Sequence, residues 1–140
     1  MTPVTAIRDR LQEDSGLPSL LDAAYAAFEL LLTAIEEHEN PATGMFAQFV
    51  FAATHAANGR DAILFAPSLP GRPLRPAGTT AIGQGSGVEV QDIVVLSKVL
   101  WHVLAQAAAE AVPGRDDQAA CRHAARSAAA VHRLLTGTDP

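Results

Sequence analysis

Lysine, cysteine and aromatic residues are scarce in this 140-residue chain. Lys98 is the sole lysine, Cys121 is the sole cysteine, and aromatic residues make up 5% of the sequence. One cysteine excludes an intrachain disulfide, so we expect a structural thiol in a reducing compartment. The longest apolar run falls short of the roughly 20 residues of a membrane span, and the first residues lack a secretory signal's apolar stretch. We therefore expect a cytoplasmic protein that does not enter a membrane.

The chain also lacks a positive charge balance. Its net charge is −5 at neutral pH. Because binding to duplex DNA requires a concentrated basic surface, this balance argues against a DNA partner. The length is typical of one domain, and we expect residues 1–140 to form a single helical-bundle domain.

Apolar residues that recur every three to four positions are abundant, and they predict helices. One example is the face formed by Leu21, Tyr25, Phe28, Leu32 and Ile35. A capping-box pattern starts with Ser19 in the first long helix, and a second starts with Ser86. We predict an all-α antiparallel bundle of four main helices, at about 19–39, 42–58, 88–112 and 116–136, with a long Pro/Gly-rich connection at 60–87. A further short amphipathic helix over 5–14 is an open alternative.

Two of these helices have unusually wide apolar surfaces. The helix over 42–58 is apolar nearly all round, which is typical of a helix enclosed by others, and Gly59 is placed as a stop signal at its end. We expect this helix and the next to be the most buried. The helix over 88–112 is too apolar for a single neighbour to cover, so either the bundle wraps it or a second copy does. We expect a homodimer.

The connection contains prolines at every third position, namely Pro67, Pro70, Pro73 and Pro76. This period matches a polyproline II helix, which places Arg72 and Arg75 together along one edge. The segment is either a docking ligand for a partner protein, through Pro70, Arg72, Pro73 and Arg75, or a stiff connection packed on its own bundle. Residues 62–66 and 79–82 are alternatively the two strands of a short β-ribbon.

A glycine-rich turn over 83–87 precedes the third main helix. Backbone N–H groups at such a helix start can bind an anion, and the candidate residues are Gly85, Ser86, Gly87, Lys98 and His102. The pattern lacks the lysine of a Walker loop and the GxGxxG spacing of a dinucleotide site. A flexible turn is the alternative interpretation.

Histidines are the remaining candidates for chemistry. None of the five follows a glutamate by three positions, as di-iron bundles require, and there is no His-Glu-x-x-His motif. We predict no metal, no cofactor and no catalytic residue. His55 and His102 are the pair most suited to meeting across two helices, and structural roles are the alternative.

Four arginines form a stripe along the last helix, and three acidic residues form a stripe along the first. The arginines are Arg115, Arg122, Arg126 and Arg133, and the acids are Asp22, Glu29 and Glu36. The stripes either run side by side, within the chain or between subunits, or are solvated separately. RNA or anionic lipid is a further alternative for the arginines.

The sequence therefore favours a small cytosolic, non-catalytic helical protein that acts through protein–protein interaction as a homodimer. The alternative is a protein, enzyme or not, that binds a small ligand, anion or metal through the turn at 83–87 and the start of the following helix.

Overall fold

Five α-helices make up 83% of the residues that the computed structural model describes. The described residues are 3–13, 16–39, 44–69, 87–110 and 114–140, and no β-strand occurs among them. In chain order, the helices are α1 (Pro3–Gln12), α2 (Leu17–His38), α3 (Phe46–Leu64), α4 (Val90–Ala109) and α5 (Arg115–Thr136). The predicted all-α bundle is confirmed, and α1 adds a fifth, short helix to the four main ones.

The four long helices form a ring in the order α2, α3, α5, α4. α5 packs against both α3 and α4, and α2 packs against both α3 and α4 on the other side. Within the described helices, no Cα atom of α2 lies within 8 Å of one in α5, and the same holds for α3 and α4. These pairs therefore lie on the two diagonals of the bundle. α1 packs against α2 and α4.

Contacts near the helix ends give the helix directions. His38, the last residue of α2, donates from Nε2 to the carbonyl of Val88, just before α4, at 2.9 Å. The same imidazole stacks on Phe49 in the first turn of α3, with ring centroids 5.9 Å apart. At the opposite end, Ser68, just after α3, is hydrogen-bonded to Asp117 in the first turn of α5. Neighbours in the ring are thus antiparallel, and α3 ends at the opposite end of the bundle from the start of α4.

The buried apolar side chains form one cluster, to which every helix contributes. On α4, Ile93, Leu96, Leu100 and Leu104 are fully buried because α1, α2 and α5 surround that helix. The bundle itself therefore covers this side of α4, whereas Val94, Val99, Trp101 and Val103 are only partly buried. The largest fully buried hydrophobic side chains are Leu21, Phe28, Leu31, Ile35, Ile63, Ile93, Leu96, Leu100, Leu104 and Val131.

The prediction for the second main helix is wrong in two respects. α3 does not end at residue 58 but continues through Gly59 to Leu64, because Gly59 is the point at which α3 meets Phe28 of α2. α3 is also not enclosed, since its outer face leaves Phe51 and Phe65 exposed to solvent. The β-ribbon is wrong for residues 62–64, which are helical, and its second strand at 79–82 lies outside the described residues.

Two helix starts also differ from the capping-box predictions. α2 begins at Leu17 after Gly16, whose φ of 96° favours glycine, so Ser19 lies inside the first turn. α4 begins at Val90, and the Asp92 carboxylate accepts a hydrogen bond from the Glu89 backbone N–H at 3.1 Å. The cap is thus one turn later than predicted, and Ser86 lies outside the described residues.

Replacing Gly59 by alanine tests the close approach of α2 and α3. A Cβ atom at residue 59 would lie 2.3 Å from Cε1 of Phe28, whose side chain is fully buried. Without this clash, alanine would stabilise a helix interior by about 1 kcal/mol. We expect Gly59→Ala instead to lower the free energy of unfolding by about 1–3 kcal/mol, measured by denaturant titration. Gly44→Ala, where no atom lies within 4 Å, is the control. An increase in stability for Gly59→Ala would contradict the packing.

Candidate functional site

A groove between α4 and α5 brings the arginine stripe next to Trp101, the sole tryptophan of the chain. Its volume is about 370 Å³. We call it the arginine groove, and its lining residues are Trp101, Ala105, Ala108 and Ala109 of α4, with Arg122, Ala125, Arg126, Ala129 and Arg133 of α5.

The helical periodicity of α5 explains the shape of this groove. Ala125 and Ala129 are four residues apart and lie on the side of α5 that turns towards α4, whereas Arg122 and Arg126 are four apart on the solvent side. Alanine side chains are short and end in a methyl group, so they leave an open groove whose floor is apolar. The result is an open apolar trough with positive charge along one edge and an indole on the other.

The positive charge of the groove is largely uncompensated. Arg133 donates from Nε to the Asp139 carboxylate at 2.7 Å, and both side chains are exposed. Arg122 and Arg126 are exposed and have no ion-pair partner among the described residues. No described lining residue is acidic. Arg115 belongs to the same stripe but does not line the groove, so the structure brings three of the four predicted arginines to this site.

The side-by-side pairing of the two charged stripes within the chain is wrong. α2 and α5 are diagonal in the bundle, so the acidic stripe and the arginine stripe lie on opposite sides of the molecule. Asp22 instead accepts a hydrogen bond from Arg10 of α1 at 2.9 Å. Glu29 lies 3.8 Å from Arg60 of α3. Two of the three acidic residues therefore already have basic neighbours in their own chain.

The proline segment is described only at its base, because Pro70, Arg72, Pro73 and Arg75 lie outside the described residues. At that base, the Asp117 carboxylate accepts hydrogen bonds from the Ser68 backbone N–H at 3.0 Å and from the Ser68 hydroxyl at 2.6 Å. Asp117 is buried, and Ala66 and Leu69 pack on the core. Sequence analysis missed this contact, since nothing local to Ser68 indicates a partner 49 residues away.

The residues predicted to bind an anion do not all lie at one site. Lys98 and His102 lie one turn apart on α4 and line a groove of about 1100 Å³ that α1 and the start of α2 border. Gly87, with φ of 73°, is exposed and does not line that groove, and Gly85 and Ser86 lie outside the described residues. The same groove carries the acidic residues Glu13, Glu110 and Asp117. A lining with three carboxylates and one lysine does not favour an anion.

The five histidines are distributed over four helices. His55 is on α3 and His102 is on α4, and these helices are diagonal in the bundle, which argues against a meeting of these two side chains. His38 is hydrogen-bonded to the carbonyl of Val88, just before α4. The buried His132 donates from Nδ1 to the carbonyl of Thr138, just after α5, at 3.0 Å. Among the described residues, no three histidine, cysteine or acidic side chains are grouped so as to hold a metal ion.

A second surface feature is a line of residues on the outer face of α3. Phe51, Asn58 and Phe65 follow at intervals of seven, which places Phe51 and Asn58 on one side of α3 and Phe65, the residue just after its last turn, near the same line. Phe51 is 58% exposed and Phe65 is 83% exposed. We call these three residues the phenylalanine line. Beside Phe65, a groove of about 540 Å³ runs between α3 and α5, with Ala62 and Ala119 in its lining.

Two helices are long and apolar enough to cross a membrane by length and composition, namely α2 and α4. Both also supply fully buried residues to the core of the bundle. Core helices of soluble proteins meet the same criterion, so it does not distinguish a membrane span from a buried helix.

No protein-family model, no curated protein and no solved structure matches this chain. Function is therefore argued from the two exposed features, the arginine groove and the phenylalanine line.

Removing the Ser68 hydroxyl tests the anchor of the proline segment. Ser68→Ala leaves the buried Asp117 carboxylate without its shortest hydrogen bond. Because a hydrogen bond to a charged group contributes about 1.5–3 kcal/mol, we expect a loss of that order in the free energy of unfolding. Ser19→Ala, at an exposed serine of α2, is the control and should change stability by less than about 0.5 kcal/mol. Equal effects of the two substitutions would contradict the anchor.

The thiol of Cys121 should be inert in the folded protein. Its side chain is fully buried, and burial together with the charge of Asp117 raises the pKa of Cys121 to about 11. The thiolate is the reactive form, so little of it is present in the folded protein at pH 8. We expect a thiol-reactive dye to label the native protein at least about 100-fold more slowly than the denatured chain. The raised pKa of Cys121 and the burial of its side chain both slow the reaction. Rapid labelling of the native protein would show that the thiol is accessible.

Proposed function

We propose that this chain is a small, non-catalytic helical interaction protein that works as a homodimer, with α3 at the contact between copies. The observation that carries this proposal is the exposure of Phe51 and Phe65, which are 58% and 83% exposed on one side of α3. Exposed aromatic side chains are enriched at protein–protein contact surfaces.

The spacing of the phenylalanine line favours a second copy as the partner. Phe51 and Phe65 are each seven residues from Asn58. A two-fold axis through Asn58 would pair α3 with α3 of a second copy in antiparallel fashion, placing Phe51 of each copy opposite Phe65 of the other. A symmetric dimer needs a surface that matches itself in this way. The groove between α3 and α5, next to Phe65, has room for the incoming Phe51.

The expected affinity is moderate. Burying a phenylalanine contributes about 1.5–3 kcal/mol, so four of them contribute about 6–12 kcal/mol. Association costs an estimated 4–15 kcal/mol in lost translational and rotational freedom. Because these terms are of similar size, we expect a dimer that dissociates on dilution. We further propose the cytoplasm as its location, since one buried thiol needs no oxidising compartment.

Light scattering after gel filtration tests the dimer. We expect the wild-type protein to be dimeric at about 100 µM, and the double variant Phe51→Gln, Phe65→Gln to be monomeric, because each polar substitution removes apolar area from the contact. Phe46→Gln is the matched control, since Phe46 lies about 120° around α3 from Asn58 and is 37% exposed.

Circular dichroism should show equal helix content in all three proteins. A wild-type chain that stays monomeric throughout the concentration range would overturn the proposal. So would a double variant that dimerises as well as the wild type.

A further inference from the structure

We propose that the arginine groove binds an acidic amphipathic helix of a partner protein. Carboxylates of that helix face Arg122 and Arg126, and an apolar edge of the helix lies on the alanine floor against Trp101. The groove is between α4 and α5, whereas the proposed dimer contact is on the outer face of α3. The two proposals are therefore independent, and a monomeric chain would bind such a helix equally well.

Charge complementarity identifies the acidic character of the partner. Arg122 and Arg126 are one helical turn apart, which separates them by about 6 Å along α5. Both are exposed, and within the described part of the chain neither has an ion-pair partner. The chain as a whole carries a net charge of −5. A narrow basic edge on an acidic protein suits a short acidic segment, whereas duplex nucleic acid repels the rest of the surface.

The groove lining indicates a helix as the bound element. Apart from the arginines and the indole, the described lining side chains are alanines, which offer no hydrogen-bonding groups to orient a small polar ligand. An apolar trough between two helices instead accepts the side-chain ridge of a third. Arg122 and Arg133 are eleven residues apart, so the basic edge extends over about 16 Å, or three turns.

The spacing of the arginines sets the pattern of acidic residues in the partner. A helix parallel to α5 would match Arg122, Arg126 and Arg133 with carboxylates at i, i+4 and i+11. The acidic stripe of α2 does not fit, because it has no two carboxylates four residues apart to match Arg122 and Arg126. Two of its three members also already have basic neighbours in the chain. The partner is therefore a different protein and not a second copy. Exposed ion pairs are weak and salt-sensitive, so the binding should weaken as salt is added.

Trp101 provides a direct readout, because it is the sole tryptophan and it lines the groove. The probe is a synthetic alanine- and leucine-rich helical peptide, free of tryptophan, with glutamates at i, i+4 and i+11. The control peptide has the same composition but distributes the glutamates around the helix. We expect a saturable change in Trp101 fluorescence with the first peptide, weakened about tenfold by raising salt from about 50 to 300 mM. The control peptide should bind at least about fivefold more weakly.

Single charge reversals in α5 locate the site. We expect Arg122→Glu and Arg126→Glu each to lower the peptide affinity about tenfold, since each replaces an attraction by a repulsion. Arg115→Glu makes the same change of charge on the same helix outside the groove and should change the affinity less than about twofold. Circular dichroism confirms that each variant is folded.

Three outcomes would overturn the proposal. The first is equal affinity of the Arg122→Glu and Arg115→Glu proteins for the peptide. The second is equal binding of the two peptides. The third is a Trp101 response to vesicles of anionic lipid or to polyphosphate but not to either peptide, which would assign the groove to a different class of ligand.

Discussion

α5 packs closely against both α3 and α4, and most of its inward residues are small. Ala120, Ala124 and Ala128 are buried along it, beside Cys121. Side chains of this size let the two neighbouring helices approach closely, as a row of leucines would not. α5 therefore occupies the position between α3 and α4 in the ring, and α2 takes the diagonal position. The grooves on either side of α5, and the outward direction of its arginines, follow from this placement.

The diagonal arrangement of α2 and α5 also separates the charges of the molecule. Asp22 and Glu29 of α2 have basic neighbours on α1 and α3, which flank α2, whereas the arginines of α5 face solvent on the far side. An acidic protein thus has one basic edge. A two-fold contact uses the same face of both copies, so it cannot include both the acidic side and the basic edge, which lie on opposite sides of the bundle. The proposed self-association and the proposed recognition of an acidic partner consequently use different faces of the bundle.

Features of the fold that depend on residues close together in the sequence were predictable, and features that depend on contacts between distant residues were not. The positions of α2, α4 and α5 follow from apolar periodicity, a local property, and the structure agrees with them to within a few residues. The end of α3 was not predictable in this way. A glycine after an apolar helix usually marks its end, but Gly59 instead makes room for Phe28, a residue 31 positions earlier in the sequence. The bond between Ser68 and Asp117 and the separation of His55 from His102 are likewise consequences of packing.

The candidate sites likewise combine a local feature that the sequence shows with neighbours that only the packing supplies. The arginine stripe was evident from spacing, because residues at intervals of four and seven share a side of any helix. That Trp101 and an alanine floor lie beside it depends on α4 being the neighbour of α5. Sequence alone determined which residues form helices and which side of each helix is apolar or charged, because helical periodicity is set by the backbone. The tertiary structure alone decided which sides meet and which stay exposed, because it depends on the volumes of side chains far apart in the chain.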